Sequence, residues 1–398
     1  MAKTLMYQMY LPSLGSIRKA INFLAAPSHL GADIIWLSGA LDSPGFDHGY
    51  DISDYKKVNP KYGDMRDLDD FVNFAHSMGM KVVIDLVLNH TSTEHGWFRW
   101  YPNYYYWRAA DPESSNHWQN LFGSESAWQF DEETGKFYLH LFHEKQADLN
   151  WFPDGGNINF SLVQEFQEIV DFWTKRHRID GFRLDVPQAM NKTQFSSGCD
   201  FESLIHGTLA KKVLSAIFPE PREAPLLIME CFDPTEDGSI VKEYSNLGPI
   251  SFVMNVTIKD LYPKILDGRL KKYTSNPYFM LDLESHDSPR FLSRGTSFRE
   301  ELRCLFSTGA DAVCLYQGQE LGLKNPSERE MSNALMLALD AQTAMKVANG
   351  ANIEDLRPTS RANARVPLSF ALYSEQIRDS NSPLHQTCRA IGRWRKNI

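Results

Sequence analysis

Cysteine is scarce in this chain. Its 398 residues include 5, at Cys199, Cys231, Cys304, Cys314 and Cys388. No two form a CxxC pair, so zinc-ribbon and redox-motif classes are excluded, and the spacing fits reduced, mostly buried thiols of a cytoplasmic protein. Positive charge is also in deficit: 41 Lys and Arg face 50 Asp and Glu, a formal net charge of -9. A nucleic-acid partner needs a basic stripe to neutralise phosphates, so that class is excluded too. No apolar run approaches the ~18 residues of a membrane span. The N-terminus has no charged stretch followed by a long apolar region and a small-residue cleavage site. Internal repeats and low-complexity segments are missing as well.

What is present fits a large soluble α/β protein with an inserted or appended module. Hydrophobic residues make up 42% and charged residues 23%, ordinary for a globular enzyme. Aromatics reach 12%; their flat faces suit the C–H faces of sugars, and they equally suit a large core.

Short apolar runs at 5–10, 33–38, 81–87, 179–186, 226–230, 250–254, 278–283 and 312–316 read as strands. They are apolar on both faces, as in a parallel sheet covered on both sides. Helical patterns fill the gaps, for example 66–78, 163–177 and 298–307. Eight strands alternating with helices predict a (β/α)8 TIM barrel, with a doubly wound sheet as the rival. After the third strand comes a gap of roughly 70 residues, far beyond an ordinary βα loop. It is rich in Trp, Tyr, Asn and His and contains Gly135-Lys136-Phe137-Tyr138-Leu139-His140-Leu141. It is expected to form an inserted subdomain with a hairpin. The expected division is residues 1–90 and 159–398 for the barrel and 91–158 for the insert.

Acidic residues stand where these runs end, the position of functional groups in a barrel of this kind. In Gly181-Phe182-Arg183-Leu184-Asp185 the arginine and aspartate are two apart, on the same side of a strand. Arg183 can therefore keep Asp185 ionised as a nucleophile, or the two can form a structural ion pair. Glu230 closes Leu226-Leu227-Ile228-Met229-Glu230 with apolar neighbours; a carboxyl so placed has a raised pKa and suits a general acid. His286-Asp287 follows the seventh run, and Asp85-Leu86-Val87-Leu88-Asn89-His90 the third. Asp47-His48-Gly49-Tyr50-Asp51 follows the second, offering a hydroxyl-binding carboxylate and an aromatic platform, or a capped turn.

In this order the segments resemble the α-amylase superfamily of glycoside hydrolases, and within it the oligo-1,6-glucosidase and dextran glucosidase branch. Gln146-Ala147-Asp148-Leu149-Asn150 looks like the QPDLN block of that branch with alanine in place of proline. Tyr316-Gln317-Gly318-Gln319-Glu320 and Asn363-Ala364-Arg365-Val366-Pro367 also look like family segments. The resemblance implies Asp185 as nucleophile, Glu230 as general acid/base and Asp287 as the carboxylate that stabilises the transition state. It implies Asp47, Tyr50, His90, Arg183 and His286 around the terminal glucose, with Arg361 or Arg365 adding a contact. Val186, after the nucleophile, is associated in this branch with α-1,6 preference.

The chain also departs from the branch. Tyr10-Leu11-Pro12-Ser13-Leu14-Gly15-Ser16 replaces a calcium loop and carries no carboxylate, so neither metal nor cofactor is expected. Met229 replaces a glycine, and Glu284-Ser285 replace asparagines. The usual C-terminal β-sandwich has no room after the closing helix, so a trimmed enzyme or a fragment is expected, with apolar surface exposed or used in self-association. The function implied is a retaining, exo-acting α-glucosidase that hydrolyses terminal glucose from short α-1,6-linked oligosaccharides. The partner is a small oligosaccharide, neither nucleic acid nor membrane. The alternatives are a transglucosylase or sucrose-acting enzyme of the same family, and a catalytically silent ancillary protein.

Overall fold

The computed structural model describes residues 3–109, 118–122, 126–193, 201–219, 225–235, 237–247, 250–257, 262–268, 270, 276–368 and 370–396. Eight parallel strands close into a barrel. They are β1 (Thr4–Tyr10), β2 (Ile34–Ser38), β3 (Lys81–Val87) and β4 (Gly181–Asp185), then β5 (Leu226–Cys231), β6 (Phe252–Asn255), β7 (Phe279–Asp282) and β8 (Ala312–Tyr316). Each pairs with its neighbour in sequence, and β1 pairs with β8. Closure rules out the doubly wound sheet. The strands differ from the expected runs only at their ends.

Alternation along each strand sorts side chains into two cores. One set, including Leu5, Tyr7, Ile35, Leu37, Val82, Ile84, Phe182, Leu184, Leu227 and Met229, packs with helical residues such as Phe71, Phe166 and Leu214. The other set plugs the barrel interior: Met6, Ile34, Trp36, Val83, Ile228, Met254, Met280, Ala312 and Cys314. The interior file continues toward the strand ends as Gln8, Asp85, Arg183, Asp185 and Glu230, all buried. Period two therefore carries the apolar plug directly into the polar groups above it. At the foot of β4, Gly181 leaves no room for a side chain, since a Cβ there would come 2.0 Å from the Leu226 carbonyl oxygen. Glycine lets β4 lie close to β5, and so sets the register that carries Asp185 and Glu230.

The surrounding helices carry local start signals. Asp64 and Asp67 form a reciprocal capping box on the helix Met65–Ser77, and Ser297 and Glu300 do the same on Phe298–Phe306. The helix Pro383–Arg395 packs against Phe298–Phe306.

Between β3 and the helix Phe160–Asp171 lies a three-stranded antiparallel sheet of Trp107–Arg108, Trp128–Asp131 and Lys136–Leu139, with the last in the middle. The chain then returns to the barrel. Gln146–Asp148 pairs antiparallel with His90–Ser92, Asp148 opposite His90. Cys231, Cys304 and Cys314 are buried and Cys388 is half-buried, all as free thiols; Cys199 lies outside the described residues. Among the described residues no helix is long and apolar enough to cross a membrane.

Candidate active site

A cavity of about 1030 Å3 opens at the C-terminal ends of the strands. Its wall includes Asp47, Tyr50, His90, Asp185, Val186, Glu230, Asp287 and Arg361. All three carboxylates expected to do chemistry thus face one space. Gln119, Asn120, Leu121, Phe122 and Phe142 of the insert form part of the same wall, and Arg294 and Gln342 line it as well.

Asp185 and Glu230 are joined by a single cation. Arg183 Nη1 binds Asp185 Oδ1, and Arg183 Nη2 lies 2.7 Å from Glu230 Oε2. The arginine is itself buried, with Asp85 Oδ1 3.5 Å from Nη1 and the Trp36 ring 5.0 Å away. Asp85 accepts from Trp36 Nε1, Tyr50 OH and the Gly39 amide. Burial pushes the Asp85 carboxyl up to about 6, against the lowering pull of Arg183. The catalytic-position pair is raised above the ordinary carboxylate range for the same reason. Burial dominates and Arg183 opposes it; Asp85 and Asp287 raise Asp185 further, and Asp185 and Asp287 raise Glu230. Two buried carboxyls sharing one guanidinium hold a proton between them most readily.

Val186 adds a donor. Its amide lies 3.0 Å from Glu230 Oε2, and its backbone sits at φ 32°. That conformation is strained for a β-branched residue, and it turns the peptide after the nucleophile position toward the neighbouring strand end.

Asp287 has the opposite surroundings. Its Oδ1 takes Arg365 Nη2 at 2.7 Å and Arg361 Nη1 at 3.2 Å, while Oδ2 lies 2.9 Å from His286 Nε2. Burial alone would raise this carboxyl; His286, Arg365 and Arg361 outweigh it and hold it well below the usual range. His286 is stacked between the rings of Tyr10 and Tyr50, at centroid distances of 5.0 and 5.1 Å. Gln8 Nε2 is 2.8 Å from its Nδ1, and burial lowers its pKa to about 4. With Gln8 donating to Nδ1, the ring proton lies on Nε2, the nitrogen nearer Asp287.

Arg361 closes one side of the cavity. Its Nη2 is 3.2 Å from Asp47 Oδ1, its Nε is 3.1 Å from Asp340 Oδ1, and its guanidinium covers the Phe122 ring at 5.2 Å. The question of Arg361 or Arg365 thus resolves into two positions. Both hold Asp287; Arg361 lines the cavity, and Arg365, 2% exposed, stands behind it. Arg183 and His286 are likewise behind the wall, 3% and 0% exposed, although they were expected to line it. Their polar atoms are turned to the carboxylates, those of Arg183 to Asp185 and Glu230 and that of His286 to Asp287.

Some contributors were not anticipated. Lys192 is a buried lysine seven residues past Asp185, in the polar run Asn191-Lys192-Thr193, which gives no sequence signal of burial. Asp340 orients Arg361 across 21 residues, and no sequence pattern links the two. Among the described residues no group of three His, Cys, Asp or Glu side chains converges to hold a metal ion.

Residues 15–206 match the family described as "Alpha amylase, catalytic domain". The chain is 30% identical over 432 residues to trehalose-6-phosphate hydrolase of Bacillus subtilis (strain 168), covering 92% of this chain and 74% of that protein. It is 29% identical over 439 residues to oligo-1,6-glucosidase of Heyndrickxia coagulans, covering 92% and 76%. The crystal structure of a Bacillus licheniformis trehalose-6-phosphate hydrolase superposes with a TM-score of 0.81 at 27% identity, over 100% of this chain and 84% of that one.

Proposed function

The chain belongs to the α-amylase family, a family of glycoside hydrolases, and we propose that it is an exo-acting, retaining α-glucosidase that removes terminal glucose from short α-1,6-linked oligosaccharides. The observation that carries the mechanism is the pair Asp185 and Glu230 sharing Arg183 at the edge of one cavity. A retaining enzyme needs one ionised carboxylate as nucleophile and one carboxylic acid as proton donor. A buried pair with one cation suits that state, one charge and one proton.

In this reading Asp185 attacks the anomeric carbon as Glu230 gives its proton to the departing glycosidic oxygen. The C–O bond to the aglycone breaks, and an ester to Asp185 forms. Glu230, now ionised, takes a proton from water. The water oxygen displaces Asp185 and releases glucose with the original α configuration. Asp287, kept ionised by Arg361, Arg365 and His286, pairs with sugar hydroxyls as positive charge grows on the ring. The ion pair of Arg361 with Asp47 supports the exo mode, because it bars one end of the cavity to a longer chain. Val186 beside the nucleophile supports the α-1,6 preference. The free thiols at Cys231, Cys304, Cys314 and Cys388 support a reducing, cytoplasmic setting.

A second reading has its own support. Arg294 on the cavity wall offers a guanidinium to a phosphate on the aglycone, and one relative is named for a phosphorylated disaccharide. Incubation with isomaltose, maltose, sucrose and trehalose 6-phosphate, followed by product analysis, separates these readings. Glucose from isomaltose first is the expected result. Preference for the phosphorylated sugar favours the second reading, and transfer products at high sugar concentration indicate transglucosylation. No cleavage of any of the four contradicts the glucosidase assignment.

A further inference from the structure

Lys192 is a buried ammonium, 2% exposed. It lies 2.6 Å from Asn89 Oδ1, 2.6 Å from the Ala189 carbonyl oxygen and 2.9 Å from Asp148 Oδ2. It thus donates to acceptors at the end of β3 and in the turn after β4, and forms an ion pair with the returning strand of the insert. An ammonium only donates, so the amide oxygen of Asn89 is the atom that must face it. The amide nitrogen of Asn89 is thereby turned to His90, where Nδ2 lies 3.2 Å from Nδ1. That nitrogen carries hydrogens, so His90 Nδ1 has to accept.

The other edge of the ring has two neighbours. The Tyr50 carbonyl oxygen, an acceptor only, is 3.2 Å from His90 Nε2, and Gln146 Nε2 is 3.0 Å from it. The Gln146 amide is oriented as well: its Oε1 accepts from the His143 amide at 2.9 Å, and its Nε2 donates to Asp47 Oδ2 at 3.2 Å. His90 therefore meets two amide donors and one carbonyl acceptor. With the proton on Nε2, Nδ1 pairs with Asn89 and Nε2–H with Tyr50, while Gln146 Nε2 keeps Asp47 as acceptor and one of its hydrogens is left unmatched. With the proton on Nδ1, Gln146 gains an acceptor, but a buried N–H points at the Asn89 amide hydrogens and the Tyr50 carbonyl loses its donor. The Nδ1–H form thus leaves two opposed buried donors and a carbonyl without its partner, against one unmatched Gln146 hydrogen in the Nε2–H form, so the Nε2–H form costs less. A doubly protonated ring has the same clash at Nδ1.

We propose that Lys192 is a positioning residue that, through Asn89, holds His90 as the neutral tautomer with its proton on Nε2. That edge lies beside Tyr50 and Gln146, the latter bonded to Asp47. His90, Tyr50 and Asp47 all line the cavity. The Nε2–H edge, shared with the Tyr50 carbonyl, thus lies at the wall where a sugar hydroxyl would seat. That consequence rests on the glucosidase reading; the tautomer does not. Electrostatics agree: burial lowers the His90 pKa and Lys192 lowers it further, while Asp148, Asp47 and the Tyr50 carbonyl raise it.

The test is a long-range 1H–15N correlation spectrum of the 15N-histidine-labelled protein at pH 7, with the His90 signal assigned by its loss in His90→Gln. The wild type should show the Nε2–H pattern, and Lys192→Arg should keep it. Asn89→Asp presents only acceptors to both Lys192 and the ring, so it should draw the proton to Nδ1. The pair Lys192→Met with Asp148→Asn removes both buried charges together. Asn89 is then free to turn its oxygen to Nδ1–H while Gln146 donates to Nε2, and the same switch is expected. An Nδ1–H or doubly protonated His90 in the wild type overturns the proposal. So does an unchanged Nε2–H pattern in Asn89→Asp, a near-isosteric variant. In parallel, kcat/KM on an aryl α-glucoside should fall about tenfold in Asn89→Asp, mainly through KM, as for one lost hydrogen bond. The spectrum needs no turnover, so a failure of the glucosidase reading and a failure of this one are separately visible.

Discussion

On the β4–β5 side of the cavity two carboxylates share one guanidinium; on the β7 side one carboxylate holds two. Asp185 and Glu230 are buried and the Asp287 side chain is 30% exposed, and desolvation pushes all three carboxyls up. What differs is the ratio of cations to carboxylates. It leaves Asp185 and Glu230 raised and Asp287 depressed. One region can store and release a proton, and the other keeps a fixed negative charge. The comparison shows how one functional group can be raised or depressed at the same barrel end by its partners: one arginine for two carboxylates, or His286 and two arginines for one.

The largest effect should come from breaking the proton-handling side at its nucleophile position. Asp185→Asn is expected to lower kcat on the order of 10^4-fold or more, with little loss of fold by circular dichroism; a variant with wild-type turnover refutes the assignment. Next comes Glu230→Gln. Its kcat should fall roughly 10^2- to 10^4-fold on disaccharides and much less on glucosyl fluoride, whose leaving group needs no proton. Equal losses on both substrates contradict a general-acid role.

On the fixed-charge side, Arg361→Ala leaves Asp287 with Arg365 and frees Asp47. Here kcat/KM should drop roughly 10- to 100-fold, mostly through KM, and longer oligosaccharides should become better substrates relative to isomaltose. A loss confined to kcat, with chain-length preference unchanged, removes Arg361 from the closing role.

The smallest effect is on stability, and it has opposite signs on the two sides. The Glu230 carboxyl is raised from an ordinary value near 4.5 to about 7. Its contribution is full below the ordinary value and lost as pH rises toward 7. Asp287 is depressed, so its contribution is full above the ordinary carboxylate value and lost only as pH falls below it. Glu230→Gln should therefore raise Tm at pH 8 by on the order of a few degrees, and Asp287→Asn should lower it. Thermal melts from pH 5 to 8 measure both. Equal shifts of one sign dissolve the contrast. Activity of the wild type should also decline above neutrality as the pair loses its proton, and that limb should be missing from Glu230→Gln.

Much of this arrangement was legible in the chain. Arg183 and Asp185 share a side because strands alternate, and the apolar runs around them fix which side is interior. The eight strands were readable because strands buried on both faces are apolar throughout. What could not be read is depth and long-range pairing. Nothing in Gly181–Asp185 shows that Arg183 bridges to Glu230, 47 residues on, because that bond depends on β4 lying against β5. The roles of Arg361 and Arg365 separate only by burial. Asp340 and Lys192 act through partners set by loop packing, which leaves no period in the sequence.

The pairing of Asp185 with Glu230 as nucleophile and acid is tested most directly by trapping the intermediate. The protein is incubated with 5-fluoro-α-D-glucosyl fluoride, digested, and mapped by mass spectrometry. The expected result is a fluoroglucosyl ester on the peptide bearing Asp185. An ester on Glu230 or Asp287, or release of β-configured sugar with no adduct, would contradict the account.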